Sequence, residues 1–115
     1  MEIKIIDSPV DIREIRRLAE ASYGDMVKAV VDIERRVMAV GGELHADAEA
    51  VLLEHGSKQA DLWGINIYPD NVLADRLEYT SLINISPRRA NRSMTVEDSV
   101  LRQRIAEIVN NLIVE

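Results

Sequence analysis

Ile3 to Ile6 is a short β-branched run stopped by Asp7-Ser8-Pro9, a pattern that predicts a strand. Ser8 as N-cap, Pro9 at the first helical position and Asp11 three residues after the cap then predict a helix. Its apolar face is Ile12, Ile15, Leu18 and Ala19, and Gly24 supplies its stop. From Met26 the chain alternates, with Val27, Ala29, Val31 and Ile33 on one face and Lys28, Asp32 and Glu34 on the other, as in a half-buried strand. Glu34-Arg35-Arg36 is a polar break, and Val37 to Val40 is a second strand. Together they predict an antiparallel hairpin ended by Gly41-Gly42.

Gly42 to Gly56 reads two ways. Glu43, His45, Asp47 and Glu49 alternate with Leu44, Ala46, Ala48 and Ala50 as a strand would, but the alternation fails at Val51-Leu52-Leu53. A helix puts Leu44, Ala48, Val51, Leu52 and His55 in one stripe, uses the good helix formers Ala, Leu and Glu, and ends at Gly56. The helix is the preferred reading. Asp61 to Tyr68 predicts a strand, Pro69-Asp70-Asn71 a turn, and Leu77 to Ile85 a longer strand closed by Pro87. Thr95 and Asp98 form a capping-box pattern ahead of Leu101, Ile105, Ile108, Val109 and Leu112, which mark a long amphipathic helix running to the C-terminus.

The predicted order is β-α-β-β-α-β-β-α. This is an α+β two-layer sandwich, with a largely antiparallel sheet of about five strands and three helices on one face. Its first six elements have the order of a ferredoxin-like core, to which a strand and the long C-terminal helix are appended. Were Gly42 to Gly56 a strand, the sheet would gain a member and the class would stand.

Composition narrows the picture further. The 115 residues carry 14 Lys plus Arg against 20 Asp plus Glu, a net charge of −6, with 47% hydrophobic residues. That is the length of one domain, expected to span 1–115, and such a chain buries roughly 65% of its unfolded surface without metals or disulfides. No apolar run approaches the ~20 residues of a membrane span, and Met1 to Asp7 lacks the basic and apolar regions of a secretory leader. The expected location is cytoplasmic. With no cysteine, thiolate zinc sites and cysteine nucleophiles are excluded.

The segments Val30 to Glu34, Gly41-Gly42-Glu43-Leu44-His45-Ala46-Asp47, Gly56-Ser57, Asp61-Leu62-Trp63-Gly64-Ile65-Asn66-Ile67-Tyr68-Pro69, Ser81-Leu82-Ile83-Asn84-Ile85 and Asn91-Arg92-Ser93-Met94 resemble a small prokaryotic family known only as a domain of unknown function. The resemblance covers nearly the whole chain and implies one complete domain. It implies no activity, ligand or catalytic residue.

Three groups of residues could carry chemistry. Glu43, His45 and Asp47, with Glu49, place an imidazole among carboxylates, a donor set that suits a divalent metal. On a strand all would share a face, whereas on a helix they split into i, i+4 pairs; the competing reading is a solvated acidic helix face. Arg88, Arg89, Asn91, Arg92 and Ser93 form a loop just before the last helix, where unpaired N–H groups and bidentate arginines suit a phosphate or carboxylate. Against this, Glu97 and Asp98 already sit at that helix start, and the arginines could pair with acids instead.

The third group is a polar niche. Asn66 shares a strand face with Leu62, Gly64 and Tyr68, while Trp63 shares the other with Ile65 and Ile67, as a core residue would. Asn is disfavoured inside strands, so Asn66 and Asn84 on successive strands mark a niche or satisfy loop backbone. Gly64 would admit a close approach.

A phosphate-loop or dinucleotide motif is absent, no serine sits in a nucleophile elbow, and the acidic charge argues against a nucleic-acid partner. The biochemical function is therefore unspecified by sequence. The leading reading is a small binding or interaction domain, compatible with homo-oligomerisation, holding a small anionic ligand at Arg89, Asn91, Arg92 and Ser93. The alternative is a metal-dependent hydrolase or isomerase using Glu43, His45 and Asp47 on a small anionic substrate.

Overall fold

The structure, a computed structural model, describes residues 1–115. In chain order the elements are β1 (Ile3–Ile6), β2 (Val10–Asp11), α1 (Ile12–Glu20), β3 (Val27–Asp32), β4 (Val37–Gly41), α2 (His45–Glu54), β5 (Leu62–Ile67), β6 (Leu77–Glu78), α3 (Ser99–Leu112) and β7 (Ile113–Val114). Five strands form an antiparallel sheet in the order β1-β4-β3-β5-β6, and β2 pairs with β7 in a small parallel sheet. The α+β class, the β3–β4 hairpin and the helical reading of residues 45–54 all hold.

The layering differs from expectation. Ala29, Val31, Met38, Val40, Trp63 and Ile65 pack with Ile15 and Leu18 of α1 and with Ile105, Ile108 and Val109 of α3. Val30, Ala39 and Leu62, on alternate positions of the same strands, pack with Ala48 and Leu52 of α2 on the opposite face. The sheet is thus covered on both faces, not one. Asp32 made β3 look half-solvated, yet it is fully buried because Ser57 Oγ donates to it at 2.6 Å and the N–H groups of Glu34 and Arg35 donate at 3.0 and 2.9 Å. The ferredoxin-like order holds only for its split β-α-β half, with β4 between β1 and β3. The next strand, β5, pairs with β3 instead of returning beside β1.

Several boundaries move for identifiable reasons. Helix α1 starts after Asp11, not Ser8: Val10 and Asp11 are drawn into pairing with Ile113 and Val114, and the Asp11 carboxylate caps Arg13 N at 2.8 Å. For the same reason the last helix stops at Leu112 rather than the C-terminus. Asp98 alone caps α3, accepting from Val100 N and Leu101 N, while Thr95 bridges to Thr80. Helix α2 buries His45, Ala48 and Leu52, so its inward stripe is rotated from the expected one. Leu44 is exposed, and the exposed His55 turns its ring onto its own helix at Val51 O.

The predicted strand 77–85 shrinks to Leu77–Glu78. Ser81 Oγ accepts from Ile83 N and tightens the chain into one 3₁₀ turn, Leu82–Asn84. The Asn84 side chain then replaces the lost ladder: its Oδ1 accepts from Gly64 N at 2.8 Å and its Nδ2 donates to Gly64 O at 3.0 Å.

Candidate functional site: a cleft beside the start of helix α2

Lys28 and Asn66 face one another across the β3–β5 pairing, on the side of the sheet that α2 covers. Above them, Leu44 occupies the N-cap of α2. A leucine side chain cannot accept a hydrogen bond, so the helix start has no side-chain cap at that position. Asp47 supplies half of a capping box by accepting from Leu44 N at 3.2 Å, and Asp47 N reaches Leu44 O at 3.0 Å. His45 N and Ala46 N, the first two helical amides, are left without an intrahelical acceptor.

These groups border a cleft of about 350 Å³. Its polar wall is Lys28, His45, Asn66, Thr80 and Ser81; its apolar wall is Leu44, Ala46, Leu82, Ile83 and Met94. Leu82 and Leu44 are strongly exposed at the rim, 72% and 56%, with Met94 beside them at 42%.

His45 is buried, with Nε2 2.8 Å from the carbonyl oxygen of Ile65. A carbonyl can only accept, so Nε2 carries the proton, and in the neutral ring Nδ1 is an acceptor with no hydrogen bond to the protein. Burial holds the His45 pKa below the ordinary histidine value and the nearby Lys28 charge pushes the same way, while the Ile65 carbonyl and the Asn66 amide oppose them. Asn66 donates through Nδ2 to Glu78 Oε1 at 2.7 Å, but its buried Oδ1 has no partner. Lys28 forms no salt bridge; its Nζ lies 5.3 Å from the centre of the Tyr23 ring.

The sequence-derived sites are redistributed. Glu43, His45 and Asp47 do not converge, and no three His, Asp or Glu side chains gather as a metal-binding group anywhere in the chain. The helical turn sends His45 inward to Ile65, keeps Asp47 on the Leu44 amide, and leaves the Glu43 carbonyl to the Tyr23 hydroxyl.

In the arginine loop, Asn91 is buried and the two protons of its Nδ2 are shared among the carbonyls of Asn84, Ser93 and Thr95. The backbone N–H groups of Arg92 and Ser93 converge on one acceptor, Glu97 Oε2, at 3.0 and 2.9 Å. Arg89 donates to Leu62 O at 2.6 Å and Ile83 O at 3.2 Å, with its guanidinium 3.7 Å from the centre of the Trp63 ring. Arg88 and Arg89 border a second cavity of about 360 Å³ with Gln59, Ser86 and Ile85.

Asn84 and Asn66 also part company. Asn84 is fully satisfied by Gly64 and Met94 O, whereas Asn66 joins His45, a residue singled out for a different chemistry, in one cleft. Lys28, Thr80 and Met94 were not singled out. Only the strand alternation that sets Lys28 apart from Val27 and Ala29 pointed toward it.

The fold and site define an α+β domain with a cleft of mixed polarity on the α2 face of its sheet. Residues 4–112 match the family described as protein of unknown function (DUF5674), and the chain belongs to that family. No curated protein and no solved structure matches it.

Proposed function

We propose that this chain is a small-ligand-binding domain and that the cleft between the start of α2 and residues 80–83 is its binding site. The observation that carries this reading is Asn66 Oδ1, a buried acceptor without a partner beside the cleft. Leaving such a group unsatisfied costs about 1–3 kcal/mol, so a donor supplied from outside the chain would recover that loss. His45, whose Nδ1 makes no hydrogen bond to the chain, lines the same cleft and offers a further acceptor. The volume is in the usual range for small-molecule sites, and an apolar wall with a few polar groups is their usual composition.

The loop before α3 supports anion binding less well, because Glu97 already occupies its convergent amides. One observation favours a weaker second reading there: Arg88 forms no salt bridge and lines the cavity beside Arg89. No helix is long and apolar enough to cross a membrane.

Thermal unfolding against a panel of small carboxylates, alcohols, amides and phosphates tests the proposal. A ligand at 100-fold its dissociation constant stabilises by about 2.7 kcal/mol, a shift of roughly 10 °C in a domain of this size. The expected result is a shift that is present in the parent chain, lost in Asn66→Ala and retained in Arg88→Gln. A panel that moves neither chain, or a shift that Asn66→Ala keeps, overturns it; a shift lost only in Arg88→Gln moves the site to the arginine loop.

A further inference from the structure

Resting on the cleft as a binding site, we infer that its ligand is a small carboxylate bearing a neutral hydroxyl or amide N–H close to the carboxylate and a branched apolar body. Each part follows from a different wall. Lys28 is the only charged side chain lining the cleft, and no acid in the chain pairs with it. The amides of His45 and Ala46 begin α2 at the same mouth, and a leucine at the N-cap leaves them uncapped. An ammonium that no acid neutralises, resting against the Tyr23 ring beside the positive end of a helix, favours a negative group and repels an amine.

The floor asks for the opposite polarity. Asn66 Oδ1 is a buried acceptor without a partner and His45 Nδ1 makes no hydrogen bond to the chain, so a ligand donor fits there. A neutral donor suits this floor, because Lys28 faces Asn66 across the strand pair and its charge opposes a cationic group, while Glu78 is already engaged by Asn66 Nδ2. Because the strand floor and the helix mouth line one cleft of about 350 Å³, the donor is placed close to the acid. The remaining rim is apolar, with Leu44, Leu82 and Met94 offering a flexible surface to a branched hydrocarbon.

Isothermal titration calorimetry with four probes separates these requirements: 2-hydroxy-4-methylpentanoate, 4-methylpentanoate, 4-methylpentylamine and inorganic phosphate. Backbone amide shifts of Ala46 and Ser81 report whether the cleft is occupied. The hydroxy acid is expected to bind and to move both amides, to weaken about tenfold without its hydroxyl, and to weaken about tenfold in Lys28→Gln but not in Lys28→Arg. The amine and phosphate are expected not to bind. Lys28 is only half buried, so unfolding midpoints within a few degrees of the parent chain establish that both variants fold.

Equal binding of the amine, indifference to the hydroxyl, or an unchanged affinity in Lys28→Gln overturns the inferred ligand class. The same holds if none of the four probes binds. If other compounds of the thermal panel still move Ala46 and Ser81, the cleft survives as a site and only the ligand class falls. If nothing moves them, both fall together.

Discussion

The side chain of Asn84 stands in for a β-strand against Gly64, accepting from its N–H at 2.8 Å and donating to its carbonyl at 3.0 Å. One amide thereby satisfies both backbone groups of a buried residue, and its second amide proton bonds Met94 O at 3.1 Å. This joins β5, the 3₁₀ turn and the loop before α3.

Asn84→Ala should destabilise the chain by about 3 kcal/mol, since two buried backbone groups lose their partners at once. Urea unfolding measures the loss. A change below about 1 kcal/mol would show that the amide is dispensable to the turn.

Gly64→Ala should also destabilise, for a steric reason. A Cβ at Gly64 would lie 2.5 Å from Ser81 Cβ and 2.6 Å from its Oγ. Overpacking of this kind costs about 1–3 kcal/mol, and Ser81→Gly should relieve part of it in the double variant. A double-mutant cycle with no coupling between the two positions would contradict the close approach.

His45 sets a pH dependence whose sign follows from burial. Its folded pKa is lowered, so the unfolded chain binds the proton more readily. The contribution of neutral His45 is complete above about pH 6.5, the unfolded value, and is lost as pH falls through the lower folded value. In His45→Gln, which keeps a donor for Ile65 O, the unfolding free energy should fall less between pH 7.5 and 5 than in the parent chain. Parallel pH curves would mean that the ring is not held neutral.

Glu97 fills the anion position that its own loop creates. The Ser93 hydroxyl and the backbone amides of Arg92 and Ser93 hold its carboxyl below the ordinary range. Glu97→Ala should therefore release two convergent N–H donors. Phosphate at fixed ionic strength should then raise the unfolding midpoint of the variant and leave the parent chain unaffected. A parent chain that responds equally would place an anion site elsewhere in the loop.

The main elements were legible in the sequence because they rest on local periodicity. Leu101, Ile105, Ile108, Val109 and Leu112 define α3 regardless of what they pack on, and the polar Glu34-Arg35-Arg36 break divides β3 from β4. What failed depended on distant partners. Val10 and Asp11 leave the helix only because Ile113 and Val114 reach them, and residues 79–85 leave the sheet only because Ser81 and Asn84 bond backbone more effectively than a ladder would.

The cleft was half legible for the same reason. His45 and Asn66 each stood out as a polar residue in an apolar setting. Helical phase decides that His45 turns toward Ile65, and sheet pairing decides that Lys28 faces Asn66. Neither is encoded within a few residues of the site. The arginine loop drew attention for its charge, yet Asn91, Arg92 and Ser93 mainly organise their own backbone with Glu97.

The β2–β7 pair ties Val10 to Ile113 and Asp11 to Val114, at nearly the greatest sequence separation the chain permits. Such a contact closes a very long loop, which costs more chain entropy than closing the hairpin β3–β4. During synthesis the residues of α3 emerge after every strand of the five-stranded sheet. Until then the sheet face formed by Val31, Met38, Val40 and Ile65 lacks Ile105, Ile108 and Val109 as a cover. A nascent chain halted before residue 99 would present that apolar face to chaperones or to another copy.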